Sequence, residues 1–125
     1  MLDEGTPIFS QIAERLSEEI ADGTLPDGER VPSTNELAAY YRINPATAAK
    51  GINTLIDDGL LEKRRGIGMF VAAGARMRLL AERRKQFAER YVGPLVAEAG
   101  RLGIEADELV ALIRTSSNAQ ERIKP

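Results

Sequence analysis

Residues 33–71 read STNELAAYYRINPATAAKGINTLIDDGLLEKRRGIGMFV. Ser33 followed three residues later by Glu36 is a capping-box pattern, in which hydroxyl and carboxylate satisfy each other's backbone amides. It predicts a short helix over 34–41, with Leu37, Ala38 and Tyr41 on the inner side. Arg42-Ile43 reads as a tight turn. Asn44 then caps a further helix and Pro45 takes its first position, where a missing N–H costs nothing. Ala48, Ile52, Leu55 and Ile56 form its apolar stripe, while Thr47, Lys50, Gly51 and Thr54 lie around the other side. Gly51 inside this helix costs about 1 kcal/mol relative to Ala. Close packing and close approach to a ligand would each justify it. Gly59 ends the helix. Residues 60–64 and 69–71 then read as the strands of a β-hairpin, and glycines in the tip Arg65-Gly66-Ile67-Gly68 permit positive φ.

Upstream, residues 7–22 predict a helix with Ile8, Ile12, Leu16 and Ile20 on one face. Thr6 is its expected cap and Pro7 its first residue. Gly23, Pro26, Asp27-Gly28 and Pro32 mark a turn-rich link. Downstream, Ala72-Ala73-Gly74 is a small-residue joint. A long helix is predicted over about 75–100, and Gly93-Pro94 should kink or interrupt it. Gly100 and Gly103 bracket a turn, and a last helix is expected over about 106–115, with a polar, frayed tail from Ser116.

Composition narrows the chemistry. The 125 residues contain no Cys and no His. Disulfide scaffolds, Cys/His zinc sites, His-ligated haem, thiol nucleophiles and His-containing triads are therefore excluded. No cofactor and no metal are expected. Asp57-Asp58 point apart along a helix end, and no nucleophile stands beside a base, so an enzyme is not expected. No apolar run approaches the ~20 residues that cross a bilayer. The acidic start Met1-Leu2-Asp3-Glu4-Gly5 does not resemble a signal peptide, and a cytoplasmic protein is expected. The net charge of −2 gives no hint of a polyanionic partner. Its distribution is more telling: acids crowd into residues 3–36, whereas Arg42, Lys50, Lys63, Arg64 and Arg65 make one region locally basic.

Helix, short turn, helix and two-stranded hairpin is the layout of a winged helix-turn-helix. The second helix of the pair can enter the major groove of duplex DNA with its N-terminal residues at base edges. Asn44, Ala46, Thr47 and Lys50 occupy that end. Asn can bond adenine in two places, the Thr methyl can touch a thymine methyl, and Lys can reach guanine or phosphate. The free amides at the helix opened by Ser33 can take a phosphate. Lys63, Arg64 and Arg65 at the hairpin can neutralise an adjacent groove.

In these stretches the chain resembles the GntR-type bacterial transcription regulators. The resemblance runs through Pro7-Ile8-Phe9, residues 23–33, Glu36-Leu37-Ala38, residues 43–61 and Arg65-Gly66-Ile67-Gly68-Met69-Phe70-Val71. The Asn44-Pro45-Ala46-Thr47 start and the short tail resemble the YtrA-type branch, which ends in a short helical dimerisation segment in place of a large effector domain. The resemblance implies DNA contacts from Arg30, Ser33, Thr34, Asn35, Asn44, Thr47 and Lys50, and from the wing around Arg65, Gly66 and Gly68. The family often carries Arg at the place of Asn35, a more usual Val at Ala48, and small or aliphatic residues at Tyr40-Tyr41.

The expected fold is therefore mostly α with a small β-hairpin. A winged helix-turn-helix domain over 1–74 is followed by a helical dimerisation segment over 75–125. Leu80, Phe87, Tyr91, Leu95 and Ala99, widened by Met77, Ala88 and Val96, form a stripe on the long helix too wide for one exposed helix, and the last helix turns Leu109, Leu112 and Ile113 inward to pack on it. The last helix and a second copy together would cover it, and a two-fold dimer would place two reading helices on a pseudo-palindromic site. Folding back onto the same chain is the alternative. The expected function is a homodimeric, operator-binding transcription regulator, a repressor by the family's commoner mode, with a small effector possible but unidentified. A winged-helix module that binds another protein is the competing reading.

Overall fold

The computed structural model describes residues 5–123, with side chains to residue 121. The acidic start at Met1–Glu4 and the last two residues lie outside the described residues. Helix α1 spans Ile8–Ala21, strand β1 Arg30–Val31, helix α2 Thr34–Tyr41 and helix α3 Pro45–Asp57. Strands β2 (Leu61–Arg64) and β3 (Gly68–Val71) follow, then helix α4 (Ala75–Phe87), a π-helical turn (Ala88–Val92), helix α5 (Gly93–Arg101) and helix α6 (Ala106–Ile123). The chain forms two compact units, Met1–Arg83 and Arg84–Pro125.

In the first unit three helices and a small sheet share one core. Ile12, Leu16 and Ile20 of α1, Leu37 and Ala38 of α2, and Ala48, Ile52 and Leu55 of α3 meet Val31, Leu61 and Val71 of the sheet. Each fully buried Ile, Leu or Val contributes roughly 1.5–3 kcal/mol of hydrophobic stabilisation. Ile8, at the start of the predicted α1 stripe, remains exposed. Pro7 occupies the cap position itself, with no side-chain cap bond, so Thr6 does not cap α1. Instead the Thr6 carbonyl accepts from the Gln11 amide at 2.8 Å. The capping box at α2 forms in both directions: Glu36 N donates to Ser33 Oγ at 3.1 Å, and Ser33 N donates to Glu36 Oε1 at 3.2 Å.

The sheet has three strands in the order β1-β3-β2, all antiparallel, rather than the expected two. Arg30 pairs with Phe70 and Val31 with Met69. A two-residue strand leaves no periodicity to read, and its neighbour Pro32 signals a turn. Alternation along the strands puts Val31, Leu61 and Val71 toward the core, and Arg30, Glu62, Arg64, Gly68 and Phe70 on the opposite face.

Gly51 has a packing explanation. A Cβ there would stand 2.8 Å from the Phe9 carbonyl oxygen and 3.4 Å from Ile12. Its absence lets the first turn of α1 lie directly on α3.

The start of α4 belongs to this unit, beyond the joint read at Ala72–Gly74. Ala75 is fully buried in the core and Leu79 packs against it. Asp27 Oδ2 accepts from Gly74 N at 2.7 Å, and Arg76 Nε donates to the Ala21 carbonyl at 3.0 Å. Arg78 donates to the carbonyls of Ala73, at 2.9 Å, and Gly59, at 2.5 Å. Arg83 pairs with Glu18 at 2.8 Å.

In the second unit the interruption at Gly93-Pro94 takes the form of a π-turn. Gly93 N reaches back to Ala88 O, one residue farther than in an α-helix. This insertion precedes the proline, which lacks an N–H and crowds the preceding turn. Gly103, at φ +72°, closes α5, and Ile104 N donates to Ala99 O at 2.9 Å. Helix α6 continues to Ile123 instead of fraying at Ser116. Residues 116–123 contain no Gly or Pro, and Ala119, Gln120 and Glu121 favour helix.

Candidate nucleic-acid interface

The residues expected to contact DNA fall into three neighbouring elements of the first unit. The turn between α2 and α3 places the N-terminus of α3 at the surface. Arg42 closes α2 in the left-handed region at φ 56°, the one non-glycine residue with positive φ among the described residues. For an L-residue this costs roughly 1–2 kcal/mol. The Ile43 amide donates to the Ala38 carbonyl at 3.0 Å and completes the turn. Asn44, Ala46 and Lys50 are exposed on the outer side of α3, and Thr47 is half-buried.

Asn44 has a narrower role than its residue type suggests. Its Oδ1 accepts from the Ala46 amide at 2.8 Å. The acceptor half of a bidentate adenine contact is thereby engaged as a helix cap, leaving Nδ2 as the uncommitted donor.

At the second element, the α2 N-terminus, the capping box engages the amides of Ser33 and Glu36. The amides of Thr34 and Asn35 have no partner among the described residues. They remain available to an anion. The backbone and hydroxyl of Ser33, with a further contribution from Arg30, hold the Glu36 carboxyl below the usual carboxylate range. Arg30 thus lies near this end, and its Nε also stands 3.0 Å from the point a Gly68 Cβ would occupy. One guanidinium thus lies near both the α2 start and the wing tip.

The wing tip is a tight turn in which Ile67 N donates to Arg64 O at 2.9 Å and Gly66 adopts φ +75°. Its three cations differ. Arg64 is engaged by Glu62 through Nε and Nη2, at 3.1 and 2.9 Å, and lies over the Phe70 ring at 4.2 Å. Lys63 and Arg65 have no acidic partner among the described residues. Lys50 has none either. Its ammonium lies 4.1 Å from the centroid of the Phe9 ring, a contact that the spacing within α3 could not reveal.

The apolar residues expected at a dimer contact do not all share one unit. Leu80 is half-buried in the first unit, beside Gly23, Pro26, Asp27 and Met77. Phe87, Tyr91, Leu95, Leu109, Leu112 and Ile113 belong to the second. The Phe87 and Tyr91 rings meet at a tilt of 48°, with centroids 5.5 Å apart. Leu95, Ala99, Leu109, Leu112 and Ile113 line an open groove of about 320 Å³ between α5 and α6. Tyr40 is exposed and meets Tyr41 edge-on at 4.9 Å, and burial raises the Tyr41 phenol above its usual pKa.

Residues 9–71, the span from α1 to the wing, match the model of the bacterial regulatory proteins of the gntR family. The chain belongs to the gntR family. It is a winged helix-turn-helix DNA-binding transcription regulator, in a family of regulators rather than enzymes. Over 112 residues it is 30% identical to the HTH-type transcriptional repressor YtrA of Bacillus subtilis (strain 168), with 90% of this chain and 85% of that protein aligned. The fold resembles the crystal structure of a GntR-family protein from Bacteroides thetaiotaomicron, with a TM-score of 0.74, 31% identity and coverage of 90% of this chain and 98% of that one. The AraR DNA-binding domain, crystallised with its operator ORX1, matches 57% of this gntR-family chain and covers 87% of its own length, at a TM-score of 0.52 and 33% identity. Among the described residues no helix is long and apolar enough to cross a membrane.

Proposed function

We propose that this gntR-family protein is a homodimeric transcriptional repressor that binds a pseudo-palindromic operator through the N-terminal half of α3. The row of exposed Asn44, Ala46 and Lys50 with half-buried Thr47, flanked by Arg30 with the free amides of α2 and by the Arg65-Gly66 wing tip, carries the reading. The operator bound by the related AraR domain supports duplex DNA as the partner. Thr47 and the Asn44 donor read base edges. Arg30, Ser33, Thr34, Asn35 and Arg42 meet the backbone, and Arg65, Gly66 and Gly68 approach the adjacent groove. Arg64 contributes only when Glu62 releases it.

The second unit supports the dimer. Among its described residues Ala99 alone is buried, while Phe87, Tyr91, Leu95, Val96, Leu112 and Ile113 are each about two-fifths or more exposed. An apolar surface on that scale marks an interface. A symmetric pair of these units covers it and spaces two α3 helices along the duplex. A small effector would act by altering that spacing.

Selection from a random duplex pool, followed by binding across a salt series, tests the reading. The wild type should enrich a site with two-fold related halves. Lys50→Ala should weaken binding to it about tenfold and lower the salt slope by about one. Thr47→Ala should relax preference at one base pair of each half-site, by about 1–3 kcal/mol. Weak, equal binding to all duplexes, or mutants indistinguishable from wild type, would overturn the assignment and leave a protein partner as the target of this face.

A further inference from the structure

Lys50 is exposed, yet its ammonium is not left to wander. It sits 4.1 Å from the centroid of the Phe9 ring, where the negative face of the π system attracts a cation. No carboxylate or carbonyl among the described residues takes its protons. Phe9 is half-buried in the first turn of α1. That turn reaches α3 only because position 51, next to the lysine, lacks a Cβ that would stand 2.8 Å from the Phe9 carbonyl. The close helix contact and the ring–cation contact are one local arrangement.

We propose that Phe9, outside the DNA-facing elements, is a positioning residue that fixes the direction of Lys50. This rests on the assignment of α3 as the reading helix. An aromatic face differs from a carboxylate in one decisive respect. It restrains the ammonium without neutralising it, and leaves its N–H donors open to a base edge or phosphate. A free lysine loses much rotamer freedom when it docks, whereas one already held against a ring has less to lose. Phe9 therefore acts on affinity and on where Lys50 reaches, through Lys50 alone.

The test is a double-mutant cycle on the selected operator, using the full chain. Phe9→Leu keeps apolar bulk and removes the π face, and Phe9→Tyr keeps the face. Phe9→Leu should weaken operator binding about threefold to fivefold, in line with an exposed cation–π contact. Phe9→Tyr should restore it, and Phe9→Leu added to Lys50→Ala should cost nothing more. In the free protein, proton NMR should show the Lys50 ε-methylene shifted upfield by the ring, with the shift lost in Phe9→Leu and kept in Phe9→Tyr. Equal losses from Phe9→Leu with and without Lys50 would reduce Phe9 to a packing residue and overturn the proposal. So would unchanged binding by Phe9→Leu. If Lys50→Ala binds as wild type while the upfield shift is present, the α3 reading itself fails, and the positioning role falls with it.

Discussion

Leu95→Asp should yield a monomer whose operator affinity is lower by about a hundredfold or more. Leu95 lines the groove between α5 and α6 with Ala99, Leu109, Leu112 and Ile113, and its own side chain is 42% exposed in the single chain. An aspartate there is tolerated by the monomer, which leaves it in water. In a dimer it would be an unpaired charge in an apolar contact, which costs several kcal/mol. The effect on DNA exceeds the local cost because a dimer's second half-site is engaged intramolecularly. Such coupling commonly adds a factor of about 10² to 10⁴ over one half alone. Sedimentation gives the oligomeric state, and titration of full and half operators gives the coupling. Full-site affinity should fall toward the half-site value, with half-site affinity unchanged. A dimer that survives Leu95→Asp and Ile113→Asp together would move the interface away from this groove.

Gly51→Ala should destabilise the protein, the reverse of what helix propensity alone gives. In an ordinary helix interior the added methyl gains about 1 kcal/mol. Here it would stand 2.8 Å from the Phe9 carbonyl oxygen, a backbone atom that cannot rotate away. Separating α1 from α3 loosens the contacts of Ile12 and Ile52, both 1% exposed. Overpacking of this kind costs about 1–3 kcal/mol, enough to outweigh the propensity gain. Gly51→Val adds a branched side chain and should cost more. For a unit of this size each kcal/mol lowers Tm by about 4–8 °C. Thermal unfolding followed by circular dichroism reads the sign directly, and a more stable Gly51→Ala would refute the close-packing account.

Much of this architecture is legible in the sequence because its signals are local. The Ser33/Glu36 box, the Asn44-Pro45 start and the Gly-rich wing tip each declare an element boundary without tertiary information. What escapes has a tertiary origin. Strand β1 is too short for periodicity and exists because β3 pairs with it. Arg76 and Arg78 look like surface charges until Ala21, Gly59 and Ala73 are found to accept their protons. Residue types identify the row Asn44, Thr47 and Lys50, but not the states of its members. The Asn44 acceptor is occupied by a cap, Arg64 is held by Glu62, and Lys50 rests on a ring 41 residues earlier in the chain.

The arginine fastening of α4 bears on how such regulators can be recombined. Ala72-Ala73-Gly74 reads as a linker in the sequence and invites a chimera joined there. Cutting at Gly74 would remove Ala75 from the core, leave Asp27 without the amides of Gly74 and Arg76, and release the end of α3 from Arg78. The exchangeable cassette therefore ends at Arg83, about two and a half helical turns later, where the Glu18 pair closes the unit. A foreign C-terminal segment grafted after that residue leaves Ala75 in the core and the bonds of Asp27, Arg76 and Arg78 in place.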